Sequence, residues 1–204
     1  MARGGQGGGK SVPHDADIAL LIIDMISDFE FEDGDRLLRS ALPAARSIAR
    51  LKKRARAANV PVIYVNDNFG QWRSDFRQLL HRCLNDGVAG EPIARLLAPD
   101  TEDYFVLKPA NSGFFATPLE ALLKLMGVRK LVLTGVAVDH CILFTAADAY
   151  VRNYALIIPG DCVAAVNPQH KKLSLPYFKR VMKADVRPAA RVQFRTARAR
   201  KQRN

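Results

Sequence analysis

The chain has 204 residues, 49% hydrophobic and 25% charged, with a net charge of +11. At about 100–200 residues per domain this is one domain, or two small ones at most, with enough chain to bury a core without staples. The composition excludes a disordered or fibrous protein, and the longest apolar run, Ile18–Ile23, is far shorter than the roughly 20 residues that cross a bilayer.

The charge is uneven. Arg187, Arg191, Arg195, Arg198, Arg200, Lys201 and Arg203 fall in the last eighteen residues with no acid among them, which leaves +4 for the rest. The basic character is therefore largely a tail property. Residues 1–17 are Gly-rich and polar, the composition of a flexible arm, and carry no secretory pattern. The expected organisation is an arm over 1–17, a folded domain over 18–187 and a basic tail over 188–204. Cys83, Cys141 and Cys162 are odd in number and widely spaced, so they make neither a disulfide framework nor a CxxC metal pair. A reducing, cytoplasmic setting is the expectation.

In chain order, the run Ile18–Ile23 suits a strand covered on both faces, and it ends at Asp24. Ala44, Ile48, Leu51, Ala55 and Ala58 recur at helical spacing, with Arg46, Arg50, Lys53 and Arg54 mostly outward. Residues 61–65 read as a second strand, 74–84 as a helix and 85–103 as a loop. Residues 104–107 read as a third strand ending at Lys108. Thr117-Pro118-Leu119-Glu120 is a helix start with the pattern of a capping box, and Gly127 a C-cap. Residues 130–134 make a fourth strand, 139–152 a helix with a stripe of Cys141, Thr145 and Ala149, and 154–158 a fifth strand. Residues 168–183 make a last helix and 184–187 a short sixth strand.

Strands alternating with helices predict an α/β domain, three layers α/β/α around a mostly parallel sheet of about six strands. Ligands of such sheets bind beyond the carboxyl ends of the strands. Asp24, Lys108 and Cys141 lie at or just beyond such ends. They are 84 and 33 positions apart in the chain, yet the topology sends all three to one rim.

Cys141 closes Thr134-Gly-Val-Ala-Val-Asp-His-Cys141, a glycine-containing turn into a helix. Unpaired N–H groups and the helix dipole there favour thiolate, as would a nearby Lys108. The same N–H groups could hold an oxyanion, and Asp24 could carry the thiol proton. Taken singly, each residue has a plainer reading: a small buried hydrophobe, a strand-end cap and a solvated lysine.

Three ordered elements carry a resemblance. They are Ala19-Leu-Leu-Ile-Ile-Asp24-Met25, then Lys108-Pro-Ala-Asn-Ser112-Gly-Phe114 with Thr117-Pro-Leu-Glu, and then Thr134-Gly-Val-Ala-Val-Asp-His-Cys141. Ala146-Ala-Asp-Ala149 and Asp161-Cys-Val163 follow. From about Ile18 to Ala165 the sequence resembles the isochorismatase-like cysteine hydrolases, which include nicotinamidases and N-carbamoylsarcosine amidase. The resemblance implies a catalytic Asp24–Lys108–Cys141 triad and a cis Val136–Ala137 peptide. It also implies an oxyanion hole from the backbone N–H groups of Ala137 and Cys141.

Similar nicotinamidases hold a metal with Asp-x-His after the second strand. Here that stretch is Asp67-Asn68-Phe69. A lone carboxylate suits zinc or iron poorly, and His81 and His140 form no recognisable pair, so no metal and no cofactor are expected. Phe69, Trp72 and Phe114 are candidates for lining a substrate pocket, or equally for core. Cys83 and Cys162 carry no catalytic context.

The leading expectation is a metal-independent hydrolase of a C–N bond in a small amide, ureido or carbamoyl substrate. Nicotinamidase-type or isochorismatase-type hydrolysis is the alternative within the family. The basic tail motivates a reading from a different class, a polyanion-binding protein, but nucleic acid is not the expected partner. Similar proteins are commonly oligomers, so a homo-oligomer is expected, with no membrane association.

Overall fold

The computed structural model describes residues 16–67 and 75–194. Its centre is β1 (Ile18–Ile23), buried at all six positions. A strand this apolar has no solvent face to offer, so it must lie inside a sheet covered on both sides. It pairs in parallel with β2 (Val62–Asp67) on one side and β4 (Lys130–Gly135) on the other. Outside these lie β3 (Tyr104–Lys108) and β5 (Ala155–Ile157), giving the order β3-β2-β1-β4-β5, all parallel.

Alternation along β1 divides the core. Ile18, Leu20 and Ile22 face one layer, where Ile48 and Leu51 of α1 (Gly34–Ala57) pack, with Cys83 of α2 (Phe76–Asn85) and Ile93 of α3 (Glu91–Leu96). Ala19, Leu21 and Ile23 face the other. There pack Leu123 of α4 (Leu119–Leu125), Ile142 and Ala146 of α5 (Cys141–Val151) and Phe178 of α6 (Pro168–Val181). Each fully buried Leu or Ile contributes about 1.5–3 kcal/mol. The architecture is the expected three layers.

Several details differ from the sequence reading. The expected sixth strand reduces to one parallel bridge, Asp185 against Ile157. Asp185 turns its carboxylate back on the Arg187 N–H at 3.1 Å, and Pro188 follows, so the ladder goes no further. Helix α1 begins ten residues before Ala44 and runs through Pro43. The expected loop over 85–103 contains α3, with Pro92 in its first turn. Finally, the chain stays packed past 187: Ala189–Arg191 forms a 3-10 turn, and Arg54 donates to the Ala189 carbonyl at 2.7 Å. Gly127, at φ 73°, closes α4 as expected, its N–H on the Lys124 carbonyl at 3.0 Å. Of the arm expected over 1–17, Ala16 is buried and Asp17 pairs with Arg129 and Lys130 at 2.9 and 2.8 Å, so these two belong to the folded part; residues 1–15 and, of the expected tail over 188–204, residues 195–204 lie outside the described residues. No described helix is long and apolar enough to cross a membrane.

Candidate active site

Three strand ends build the site. Asp24 follows β1 with φ 50°, which turns the chain sharply out of the sheet. Lys108 is the last residue of β3 and is wholly buried. Cys141 is the first residue of α5, reached from β4 through Gly135. Only glycine fits that exit: its φ is 116°, and a Cβ would lie 2.0 Å from the Ile23 carbonyl oxygen.

The three side chains meet. Lys108 Nζ lies 2.9 Å from Asp24 Oδ2 and 3.4 Å from Cys141 Sγ. A fourth group joins them that the sequence reading weighed only as a metal ligand. Asp67 Oδ2 lies 3.2 Å from Lys108 Nζ, and the Asp67 N–H donates to Asp24 Oδ1 at 2.8 Å. Asp67 ends β2 and sits beside Lys108 in the parallel register. The rule that placed the other three at the rim applies to it equally.

The electrostatics reverse one expectation. The helix start and Lys108 favour a thiolate, but burial first, and then the Asp24 charge, push the Cys141 thiol up to about 12. Burial likewise raises Asp24 above the ordinary carboxylate range, against the pull of Lys108. Burial alone would lower Lys108, yet Asp24, Cys141 and Asp67 lift it well above its usual value. Lys108 is thereby favoured as the cation, with Asp24 Oδ2 and Cys141 Sγ both against its Nζ.

The Val136–Ala137 peptide is cis. The turn is anchored by the Val138 N–H on the Ala164 carbonyl at 2.8 Å and by the Ile142 N–H on the Ala137 carbonyl at 3.1 Å. Among the described residues, the N–H groups of Ala137 and Cys141 have no backbone acceptor, so both can serve an incoming oxygen.

The aromatic candidates fare differently. Phe69 and Trp72 lie outside the described residues. Phe114 is not brought to the rim. It is buried 5.9 Å from the Tyr154 ring, beneath Arg152, beyond the end of α5 opposite Cys141. A large ring gains more from the core than from a wet cleft. Cys83 and Cys162 are both fully buried core. His81 is exposed, and His140 is exposed beside Asp139. Among the described residues no three His, Cys, Asp or Glu side chains could hold a metal ion. Asp67 is turned onto Lys108, and residue 69, the other position of the Asp-x-His comparison, lies outside the described residues.

Comparison with known proteins matches residues 18–188 to the Isochorismatase domain family. An uncharacterised isochorismatase family protein of Bacillus subtilis, YaaI, is 39% identical over 171 residues, covering 84% of this chain and 93% of that protein. The ureidoacrylate amidohydrolase RutB of Methylorubrum extorquens is 28% identical over 188 residues, 78% of this chain and 75% of RutB. Among solved structures, N-carbamoylsarcosine amidase from Thermoplasma acidophilum superposes with a TM-score of 0.66 at 29% identity, covering 87% of this chain and 99% of that one.

Proposed function

The chain belongs to the isochorismatase family of hydrolases, and from that premise we propose that it is a cysteine hydrolase cleaving a C–N bond of a small amide, ureido or carbamoyl compound. The observation that carries the reading is Lys108 Nζ held between Asp24 Oδ2 at 2.9 Å and Cys141 Sγ at 3.4 Å.

In this mechanism Cys141 Sγ attacks the substrate carbonyl carbon as its proton passes to Asp24. The carbonyl oxygen becomes an oxyanion facing the N–H groups of Ala137 and Cys141. Asp24 then returns the proton to the nitrogen, the C–N bond breaks, and ammonia or an amine leaves a thioester on Sγ. Water attacks the thioester while Asp24 takes its proton. The acid departs, and the proton returns to Sγ. Lys108 stays charged throughout and balances the one negative charge that moves between Asp24 and Cys141. No step is routed through a metal.

The names of two relatives, a ureidoacrylate amidohydrolase and an N-carbamoylsarcosine amidase, support a ureido or carbamoyl carbonyl as the target. The test is ammonia release from a panel of small amides and ureido acids, with Cys141→Ala as control. Release by the native protein that the variant lacks is expected. Equal release by both, or none across the panel, would overturn the reading.

A further inference from the structure

Residues 141, 145, 148 and 152 share one face of a helix. On α5 that face begins with Cys141 and continues as a row of anchors. Thr145 Oγ1 accepts the Gly113 N–H at 2.9 Å. Asp148 Oδ2 accepts the Ser112 hydroxyl at 2.5 Å, and its Oδ1 accepts Arg152 Nη1 at 2.6 Å. Arg152, next after α5, donates through Nε to Glu120 Oε2 at 2.9 Å and lies 5.0 Å from the centre of the Phe114 ring. Ser112, Gly113 and Phe114 belong to the segment that leaves β3 directly after Lys108, and Glu120 belongs to α4, where that segment ends.

We infer that Ser112 and Asp148 are positioning residues that set the distance between Lys108 and Cys141. The β3–α4 segment is stapled to the same α5 face that starts with the nucleophile, so Lys108 and Cys141 are tied by a short closed path. One side of Lys108 is fixed by its pairing with Asp67 in β2. The staple fixes the other. The segment has no slack at its middle: a Cβ on Gly113 would lie 3.0 Å from Val65 Cγ1 and 3.3 Å from Leu119 Cδ2. Ser112 is itself buried and also accepts the Phe114 N–H at 3.1 Å, so its hydroxyl orders the turn as well as the staple. The Lys108–Cys141 contact is 3.4 Å, and misplacement by about 1 Å from a distant change can cost up to roughly 100-fold in rate.

The inference rests on reading Cys141 as the nucleophile and can be tested without knowing a substrate. Iodoacetamide alkylation of Cys141 is followed by mass spectrometry between about pH 7 and pH 9, where the rate tracks the thiolate fraction. In Ser112→Ala and Asp148→Ala, Lys108 drifts from the sulfur. The rate at each pH should then fall roughly tenfold, a shift of the profile upward by about one pH unit. Ser112→Thr, which keeps the hydroxyl, should restore it. A lowered melting temperature with an unchanged alkylation profile would make the staple merely structural and overturn the inference. If Asp148→Ala fails to fold, Ser112→Ala decides alone, because it removes one oxygen atom. Native Cys141 that resists alkylation throughout would instead sink the nucleophile reading, so the two failures are distinguishable.

Discussion

Two lysines are buried among the described residues, one beside each end of β3, and their surroundings differ in kind. Lys108 ends β3 at the carboxyl rim. Lys52, on α1, is paired with Asp103, the residue just ahead of β3, at 2.9 Å. Lys52 Nζ also donates to the Tyr64 hydroxyl at 2.9 Å and to the Ala98 carbonyl at 2.7 Å. Two of those acceptors are neutral, and its two carboxylates, Asp103 and, at 3.5 Å, Asp100, are both shared with Arg56. Burial therefore wins and the Lys52 ammonium is pulled below its usual range. Around Lys108 stand two carboxylates and a thiol, and there the anions win. A lysine whose carboxylates are shared with a neighbouring arginine bolts helices to a sheet. One facing an excess of ionisable acceptors holds charge for a group that must gain and lose a proton.

The largest effect separating the two should come from deleting each cation. Lys108→Met should reduce turnover by about 10²–10³-fold, the scale of removing one electrostatic stabiliser of a reacting centre, with the fold retained. Lys52→Met leaves Asp103 underpaired and should cost about 3 kcal/mol of stability. Its alkylation rate at Cys141 should stay native wherever the protein remains folded. Kinetics on a hydrolysed substrate and chemical denaturation together check the pair. A Lys52 variant that is stable but inactive would erase the distinction.

Asp24 should give two effects of opposite sign. Asp24→Asn removes the proton carrier, so turnover should fall to near background. It also removes the charge that, after burial, pushes the Cys141 thiol up to about 12. The thiol pKa then falls by about one unit, and alkylation near neutral pH should become faster than in the native protein. Slower alkylation in this variant would mean that Lys108 follows Asp24 away from the sulfur.

The three cysteines test the same point more gently. Burial pushes Cys83 up only to about 11, below Cys141, yet Cys83 is fully buried. Access should outrank acidity, so Cys141 should alkylate first and Cys83 and Cys162 only on unfolding. Peptide-resolved mass spectrometry after limited iodoacetamide exposure reads the order directly.

The contrast between the two lysines also marks what the sequence could convey. Strand ends and a parallel alternation put Asp24, Lys108 and Cys141 on one rim, because that rule depends on topology and not on side-chain detail. It reached Asp67 too, but a resemblance to metal-binding relatives diverted that residue to another role. Lys52 was invisible. Lys53, its neighbour, turns outward on the same helix, and nothing in a run of basic residues says which one finds an acceptor across 50 positions. Phe114 was misplaced for a related reason: a ring next to a motif is equally able to line a cleft or fill a core. The sixth strand failed at Asp185, where a side-chain turn competed with the ladder.

The smallest effect belongs to the structural lysine's own partner. Tyr64 is fully buried on β2, and its hydroxyl stands in the middle of the chain of contacts, accepting from Lys52 and donating to the Leu97 carbonyl at 2.6 Å. Tyr64→Phe keeps the ring against Phe76 and Phe105, at 5.8 and 5.9 Å, so packing is preserved. What is lost is one acceptor and one donor. Lys52 keeps Asp103 and the Ala98 carbonyl, so its charge remains held. The Leu97 carbonyl loses its side-chain donor, and a buried polar group left short costs about 1–3 kcal/mol. In a domain of this size that lowers the melting temperature by roughly 2–4 °C per kcal/mol. The site at the other end of the sheet should not respond, since Tyr64 touches none of its four groups. A Tyr64→Phe protein with a native melting temperature would show that the Tyr64 hydroxyl contributes nothing to holding Lys52. One with altered Cys141 alkylation would show that the two ends of β3 are coupled.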